Sequence, residues 1–459
     1  MYRDIDGRLA RWSRSDRRSP LVLCGARQVG KTYALRHLGE TMYESCAYVN
    51  LLERQNQDLF DERFSAGEVL ENISVRTGVD IVPGKTLVVI DEIQEAPHAL
   101  TLMKAFKEQF PGQHIASAGS YLGIAYHAGH SFPVGKVDMV DMYPMTYAEF
   151  LRACGEERLA DLLDDLDFER LGAFESLLQR YLRQYYYVGG MPGVVNAFLG
   201  GQAGEGNPDV KEDVAESRET AERRERSVDD YRAAREVQRG LLQSYDADFS
   251  KHPAAGVASE RVRLAFDSIP THLSRENHKF VFGHIAKGAR SAQYDTAIQF
   301  IVDSGLATRV YRLGKLALPL RSYVDLSSFK LFMLDVGLLG AAMDVDIDEL
   351  LLGDSGLTEY KGAMTEQYVC QQLVAAGCSP YYWSSRDSKA EIDFVLKHRG
   401  KVAPLEVKAE VNVHAKSLRS VCDRTGLHGY RASMRGYGEQ DWMTNVPLWA
   451  VGGYFRREM

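Results

Sequence analysis

Short apolar runs alternate with amphipathic stretches over roughly the first 150 residues of the chain. Leu21-Val22-Leu23 and Leu87-Val88-Val89-Ile90 are unbroken by polar residues, as strands buried on both faces are. His114-Ile115-Ala116-Ser117-Ala118-Gly119-Ser120 is a third short strand that ends in small polar residues. Between these runs, Tyr33-Ala34-Leu35-Arg36-His37-Leu38 carries helical spacing, and Gln94-Glu95-Ala96-Pro97 reads as a helix start. This alternation predicts a parallel α/β sheet, with any ligand at the carboxyl ends of its strands.

The pattern changes further on. Gly200-Gly201-Gln202-Ala203-Gly204-Glu205-Gly206-Asn207-Pro208 reads as a flexible connector, and residues 210–239 are dense in charge with few apolar positions. An exposed insertion over about 200–240 is expected, as a solvated helical arm in preference to a partner-binding surface. Over residues 255–325 a helical unit precedes a hairpin: 290–301 starts and continues as a helix with Ala297, Ile298 and Ile301 apolar. Gly305 stops that helix, and Leu306-Ala307-Thr308-Arg309-Val310-Tyr311-Arg312-Leu313 alternates like a strand. Helices closed by a two-stranded wing form a winged helix, which serves either DNA or protein contacts.

With 459 residues the chain exceeds one hydrophobic core, so two or three domains are expected. A composition of 45% hydrophobic and 26% charged residues is that of a globular protein. No apolar run reaches the eighteen or so residues of a membrane span, and Met1-Tyr2-Arg3-Asp4-Ile5-Asp6 lacks a signal peptide's apolar segment, so a cytoplasmic location away from membranes is expected. Cys24, Cys46, Cys154, Cys370, Cys378 and Cys422 have no C-x-x-C spacing and read as packing thiols. A net charge of −8 argues against a wholly basic nucleic-acid coat while leaving room for a local basic surface. Arg8, Arg11, Arg14, Arg17 and Arg18 make the N-terminal segment locally basic, as a solvated helix face also would be.

Chemistry enters directly after the first strand. Gly25-Ala26-Arg27-Gln28-Val29-Gly30-Lys31-Thr32 is a complete G-x-x-x-x-G-K-[ST] phosphate loop. A loop bounded by two glycines can turn its backbone N–H groups around a β-phosphate, and the following helix adds its positive N-terminal end. Lys31 would reach the β- and γ-phosphates, and Thr32 would ligate Mg²⁺. In Leu87-Val88-Val89-Ile90-Asp91-Glu92, two carboxylates stand where the strand leaves the sheet. Asp91 suits the Mg²⁺ shell, and Glu92 suits activation of the attacking water. Ser120, ahead of Ser117, is the candidate to bond the γ-phosphate or that water, although a turn serine at a strand end reads equally well.

The last hundred residues hold a second constellation. Glu366 lies on a helix through Val369 and Leu373, Asp393 follows in Ala390-Glu391-Ile392-Asp393-Phe394-Val395-Leu396, and Glu406 and Lys408 share one strand face in Pro404-Leu405-Glu406-Val407-Lys408. Glu366, Asp393 and Glu406 form a candidate site for a second divalent metal, Mg²⁺ or Mn²⁺, with Lys408 stabilising phosphate charge in phosphodiester cleavage.

The phosphate loop, Ile90-Asp91-Glu92-Ile93-Gln94, Gly119-Ser120, Tyr143-Pro144-Met145-Thr146-Tyr147-Ala148-Glu149-Phe150 and Val188-Gly189-Gly190-Met191-Pro192 together resemble the prokaryotic AAA-type ATPases of the archaeal-ATPase group. Tyr245-Asp246-Ala247-Asp248, Leu334-Asp335-Val336-Gly337-Leu338 and the series from Glu366 to Lys408 are similar to the C-terminal domain of long-unassigned function that those ATPases carry. The resemblance covers nearly the whole chain outside the insertion. It implies an α/β fold: an AAA+ P-loop parallel sheet with helical elements, then a winged-helix segment and a C-terminal α/β restriction-endonuclease-like domain of the PD-(D/E)xK type. The corresponding divisions are 1–155 for the ATPase core, 156–254 for a helical lid region, 255–330 for the winged helix and 331–459 for the nuclease-like domain. It further implies a homo-oligomeric ring in which a neighbour's arginine completes each ATP site. Where such ATPases carry Gly-Arg, this chain has Gly135-Lys136, so Lys136 takes the finger's place with a point charge instead of a planar fork. Arg180 and Arg183 are further candidates for a γ-phosphate sensor.

The expected function is a Mg²⁺-dependent ATPase that moves or remodels nucleic acid, DNA first, as an oligomer. The alternatives are a nucleotide-gated regulator of protein partners with an inert nuclease-like scaffold, and an ATP-dependent nuclease.

Overall fold

The computed structural model describes residues 1–119, 135–201, 226–251, 258–275, 279–285, 290–347, 358–385, 390–409 and 415–456. The chain forms two compact units, one built on Met1–Tyr143 with Gln299–Leu306, the other on most of the chain from Pro144 onward.

The first unit is organised by five strands: β1 (Leu21–Cys24), β2 (Ser45–Asn50), β3 (Thr86–Asp91), β4 (His114–Gly119) and β5 (Asp138–Asp141). They lie in the order β2-β3-β4-β1-β5, and every pairing is parallel. All six positions of β3 and of β4 are buried, which is why these strands read as continuous runs without alternation. The helix Ala66–Thr77 begins with a reciprocal cap: the Ser65 Oγ accepts from the Glu68 N–H, and the Glu68 carboxylate accepts from the Ser65 N–H at 2.8 Å. Its inward residues Val69 and Ile73 join Met103 and Phe106, from the helix Pro97–Gln109, over Val88, Ile90 and Ile115 of the sheet. The strand order places β4 between β1 and β3, so the carboxyl ends of β1, β4 and β3 are neighbours.

The second unit holds an eight-stranded mixed sheet in the order β12-β13-β11-β10-β9-β8-β6-β7. Its strands are β6 (Ala307–Leu313), β7 (Val324–Met333), β8 (Tyr381–Ser384), β9 (Glu391–His398), β10 (Lys401–Val407), β11 (Gly429–Ser433), β12 (Gly438–Gln440) and β13 (Met443–Pro447). The expected helix is present as Ser291–Asp303, with Ala297, Ile298 and Ile301 fully buried. The hairpin after it, expected as a two-stranded wing, belongs to a larger sheet. β6 pairs antiparallel with β7 and also parallel with β8, at Arg312 with Tyr382 and Leu313 with Trp383, so the hairpin is the edge of the large sheet. A boundary after residue 330 therefore falls inside β7.

The charged stretch is corrected in part as well. Residues 202–225 lie outside the described residues, but the helix Val228–Lys251 is no solvated arm. Tyr231, Ala234, Arg235, Gln238, Leu241, Tyr245 and Phe249 recur three or four positions apart, apart from the adjacent pair at 234 and 235, and all are buried. Arg235 is buried because its guanidinium donates to the Gln238 amide oxygen and to the Gly337 and Val345 carbonyls, and lies 4.1 Å from the Tyr187 ring centroid.

Two segments that the resemblance singled out meet in this unit. The Asp335 carboxylate is fully buried and accepts from the backbone N–H groups of Gly190 (2.7 Å), Gly337 (3.0 Å) and Leu338 (3.1 Å) and from the Gln371 amide (2.9 Å). Burial pushes its carboxyl above the usual range while these donors pull the other way. Gly189, at φ +73°, leaves no room for a side chain, since a Cβ there would lie 2.0 Å from Asp335 Oδ1. Gly189→Ala is expected to lower the stability of this unit by about 3 kcal/mol or more, through clash and left-handed strain together. Denaturant unfolding checks it, and a midpoint equal to wild type would show that the turn relaxes without cost.

Candidate nucleotide-binding site

The phosphate loop connects β1 to the helix Lys31–Met42 at the carboxyl edge of the parallel sheet. Three backbone features shape it. A Cβ on Gly25 would meet the Met142 carbonyl at 2.4 Å, so the first glycine is required by close approach. Gln28 and Gly30 have φ of +66° and +99°, and Gly30 caps the helix from this left-handed conformation. The loop is also fastened from behind by a residue that belongs to no motif. The Arg3 guanidinium donates to the Val29 carbonyl at 2.8 Å and to the Tyr143 carbonyl at 2.6 Å.

Lys31 is 6% exposed, and its ammonium donates to the Gly25 and Ala26 carbonyls at 2.9 and 2.7 Å. Burial pushes its pKa down to about 8, against the opposing pull of Glu92 and Asp91. The next residue reaches across the sheet edge: Thr32 Oγ1 donates to Asp91 Oδ2 at 2.7 Å. Tyr48 donates its hydroxyl to the same carboxylate oxygen at 2.9 Å from β2. Asp91 Oδ1 accepts the Glu92 N–H at 3.0 Å, so both carboxylate oxygens are oriented. Glu92 has φ +54°, which turns the chain sharply at the end of β3, and its Oε2 accepts from the Gln94 amide at 2.6 Å.

The donor set fits Mg²⁺. Thr32 and Asp91 offer two hard oxygen atoms already in contact, and Mg²⁺ in phosphate sites takes few protein ligands beside phosphate and water oxygens.

The remaining expected residues divide. Ser120 lies outside the described residues, although β4, which leads to it, runs between the phosphate-loop strand and β3. Ser117 is fully buried and donates to the Leu21 carbonyl at 3.0 Å, so its hydroxyl is engaged within the sheet. Lys136 precedes β5, whose first residue Asp138 pairs with Leu21 at the amino end of β1. It therefore sits at the sheet edge opposite its own phosphate loop, half exposed and 3.2 Å from Glu108. Arg180 and Arg183 are exposed on the helix Glu175–Val188 of the second unit, Arg180 over the Tyr181 ring.

The C-terminal constellation is built around a residue outside the expected set. Lys330, on β7, is fully buried and lies 3.3 Å from a Glu366 oxygen and 2.8 Å from a Glu391 oxygen. Lys408 pairs with Glu406 at 2.9 Å, and Asp393 accepts the Val407 N–H at 2.7 Å. Burial and the Glu366 charge push Asp393 up to about 7 despite both lysines. Glu366, Asp393, Glu406 and Lys408 are brought together around Lys330. Their charges, however, are answered by lysines, and they form no metal-binding group among the described residues. No helix among the described residues is long and apolar enough to cross a membrane.

A parallel sheet with a phosphate loop after β1 and an Asp-Glu pair after β3, linked through Thr32 and Asp91, defines a P-loop nucleoside triphosphatase. More particularly, residues 17–151 match the family model described as an AAA domain. Residues 222–349 and 361–449 match two models, each described as a domain of unknown function, DUF8612 and DUF4143. No curated protein matches the chain. Among solved structures, the Walker-type ATPase of Pyrococcus abyssi is 13% identical at a TM-score of 0.43, covering 74% of this chain and 95% of its own. The ORC1 protein of Aeropyrum pernix, solved in complex with DNA, is 16% identical at a TM-score of 0.28, with 74% and 90% covered. Cdc6p of Pyrobaculum aerophilum is 13% identical at 0.25, with 75% and 93% covered.

Proposed function

We propose that this chain is a Mg²⁺-dependent ATP hydrolase that couples turnover to binding and moving nucleic acid, DNA in the first place, as a homo-oligomer. The observation that carries the ATPase reading is the junction of Thr32, Asp91 and Glu92 at one strand edge beside Lys31. Thr32 and Asp91 would hold Mg²⁺, which when bound would supply neutralisation of phosphate charge. The backbone from Gly25 to Thr32 holds the phosphates, and Lys31 draws charge toward the γ-phosphate. Glu92 takes a proton from the attacking water as its oxygen bonds to the γ-phosphorus and the bond to the β–γ bridging oxygen breaks, releasing ADP and phosphate. Gln94 orients the Glu92 carboxylate for that transfer.

Lys136, on the opposite edge from its own loop, suits service to a neighbouring copy's ATP and supports the oligomer. The DNA step draws on the resemblance of the C-terminal segments. Lys330 favours an inert C-terminal scaffold over a nuclease, because a fully buried ammonium pairs with Glu366, one of the three carboxylates a metal would need, while Lys408 pairs with a second, Glu406. Phosphate release measured with and without a panel of DNA forms separates the readings. Stimulation by DNA of several-fold or more is expected. Stimulation by a protein partner alone would support the regulator, and Mg²⁺- or Mn²⁺-dependent nicking lost in Asp393→Ala would support the nuclease.

A further inference from the structure

In the second unit the helix Lys416–Thr425 and strands β11 and β13 border an open groove of about 660 Å³. Lys416, Arg419 and Arg424 line it from the helix, and Arg431 and Arg435 from β11 and the turn after it. Five cationic side chains stand against one carboxylate, Asp423, which is already 3.0 Å from Arg419. That concentration contrasts with the formal −8 of the whole chain. The groove also contains an aromatic surface: Trp442 lines it half-buried, with the Arg419 guanidinium 4.6 Å from its ring. Arg431, also lining the groove, is buried and held by the Asn445 amide oxygen at 2.9 Å, so its guanidinium is fixed in place. Burial and the neighbouring Arg435 charge hold its pKa below the usual range, against the opposing pull of Glu406.

We infer that this groove binds single-stranded DNA, with phosphates on Arg424, Arg431 and Arg435 and a base stacked at Trp442. The groove is of a size for one or two nucleotides, and stacking on a side chain requires an unpaired base, which a duplex does not offer. An acidic protein segment would satisfy the arginines but carries no planar base to stack at Trp442, whose ring otherwise meets only the Arg419 guanidinium among the cations of the groove. This site rests on the nucleic-acid reading above and gives it a place and a strand form.

The test is fluorescence anisotropy of a labelled oligothymidylate with the full chain, beside its duplex, an oligouridylate and polyglutamate at equal salt. We expect the single strand to bind more tightly than the duplex and polyglutamate, with oligouridylate close behind because phosphate and base are shared. The Arg424→Glu/Arg435→Glu variant should bind about 10²-fold more weakly and with a shallower salt dependence. Trp442→Ala should lose about tenfold or more, and Trp442→Phe should recover most of that loss. ATP hydrolysis without DNA should be unchanged in all three, and thermal unfolding of the second unit at the wild-type midpoint reports that it folds in each. Wild-type affinity in the charge-reversed variant would overturn the groove while leaving the nucleic-acid reading intact. Equal binding of duplex with no effect of Trp442→Ala, or preference for polyglutamate, would also overturn it. No binding of any nucleic acid by an ATP-hydrolysing wild type would overturn both.

Discussion

Replacing Glu92 by Gln is expected to leave ATP binding within a few-fold of wild type and to slow hydrolysis about 10²-fold or more. The amide keeps the size and can still meet Gln94, which approaches the carboxylate at 2.6 Å, so the turn at the end of β3 is preserved. It cannot accept the proton of the attacking water, and loss of a general base commonly costs this much. Binding survives because the phosphate contacts come from the loop backbone, Lys31 and the Thr32–Asp91 pair. Equilibrium binding of a fluorescent ATP analogue and single-turnover phosphate release measure the two effects separately. Hydrolysis at the wild-type rate would remove Glu92 from the chemistry.

Lys31→Ala acts earlier, on binding, with an expected loss of about 10²-fold or more in ATP affinity. The buried ammonium supplies a charge-assisted contact to phosphate that the alanine methyl group cannot replace. The variant should fold, since the close approach of Gly25 to the Met142 carbonyl and the Arg3 clasp on Val29 remain when the lysine's bonds to the Gly25 and Ala26 carbonyls are lost. The same residue gives the wild type a pH signature. Its pKa is lowered to about 8, and the ammonium is the form that meets phosphate. Below pH 8 the site is charged and affinity is flat; as pH rises above 8, each ATP bound must draw a proton onto Lys31 and affinity falls. Calorimetric titration at pH 7 and pH 9 should show that fall in the wild type and its absence in Lys31→Ala. A flat wild-type profile would mean that Lys31 stays charged at pH 9.

The ATP site was legible because its chemistry is local. The loop is eight consecutive residues, and the acidic pair ends a run buried on both faces, so spacing and burial announce both. What joins them is not local: Thr32 meets Asp91 across 59 positions, and Tyr48 and Arg3 are recruited from elements whose sequences carry no motif. Lys330 escaped notice for the same reason, since an isolated lysine in a strand reads as solvent-facing until its carboxylate partners are placed around it. The helix Val228–Lys251 was hidden by composition: Arg235 and Gln238 are polar but buried, so its inward stripe is not a hydrophobic one. The hairpin β6–β7 carried a correct strand pattern, whose third partner β8 lies far along the chain and is invisible to periodicity.

Whether the Thr32–Asp91–Glu92 junction turns over ATP with Mg²⁺ is decided by phosphate release from the full wild-type chain across a Mg²⁺ titration. We expect no turnover in EDTA, saturable turnover as Mg²⁺ is added, and its loss in Lys31→Ala. Turnover that persists in EDTA, or that is unchanged in Lys31→Ala, would contradict a Mg²⁺-dependent ATPase built on this loop.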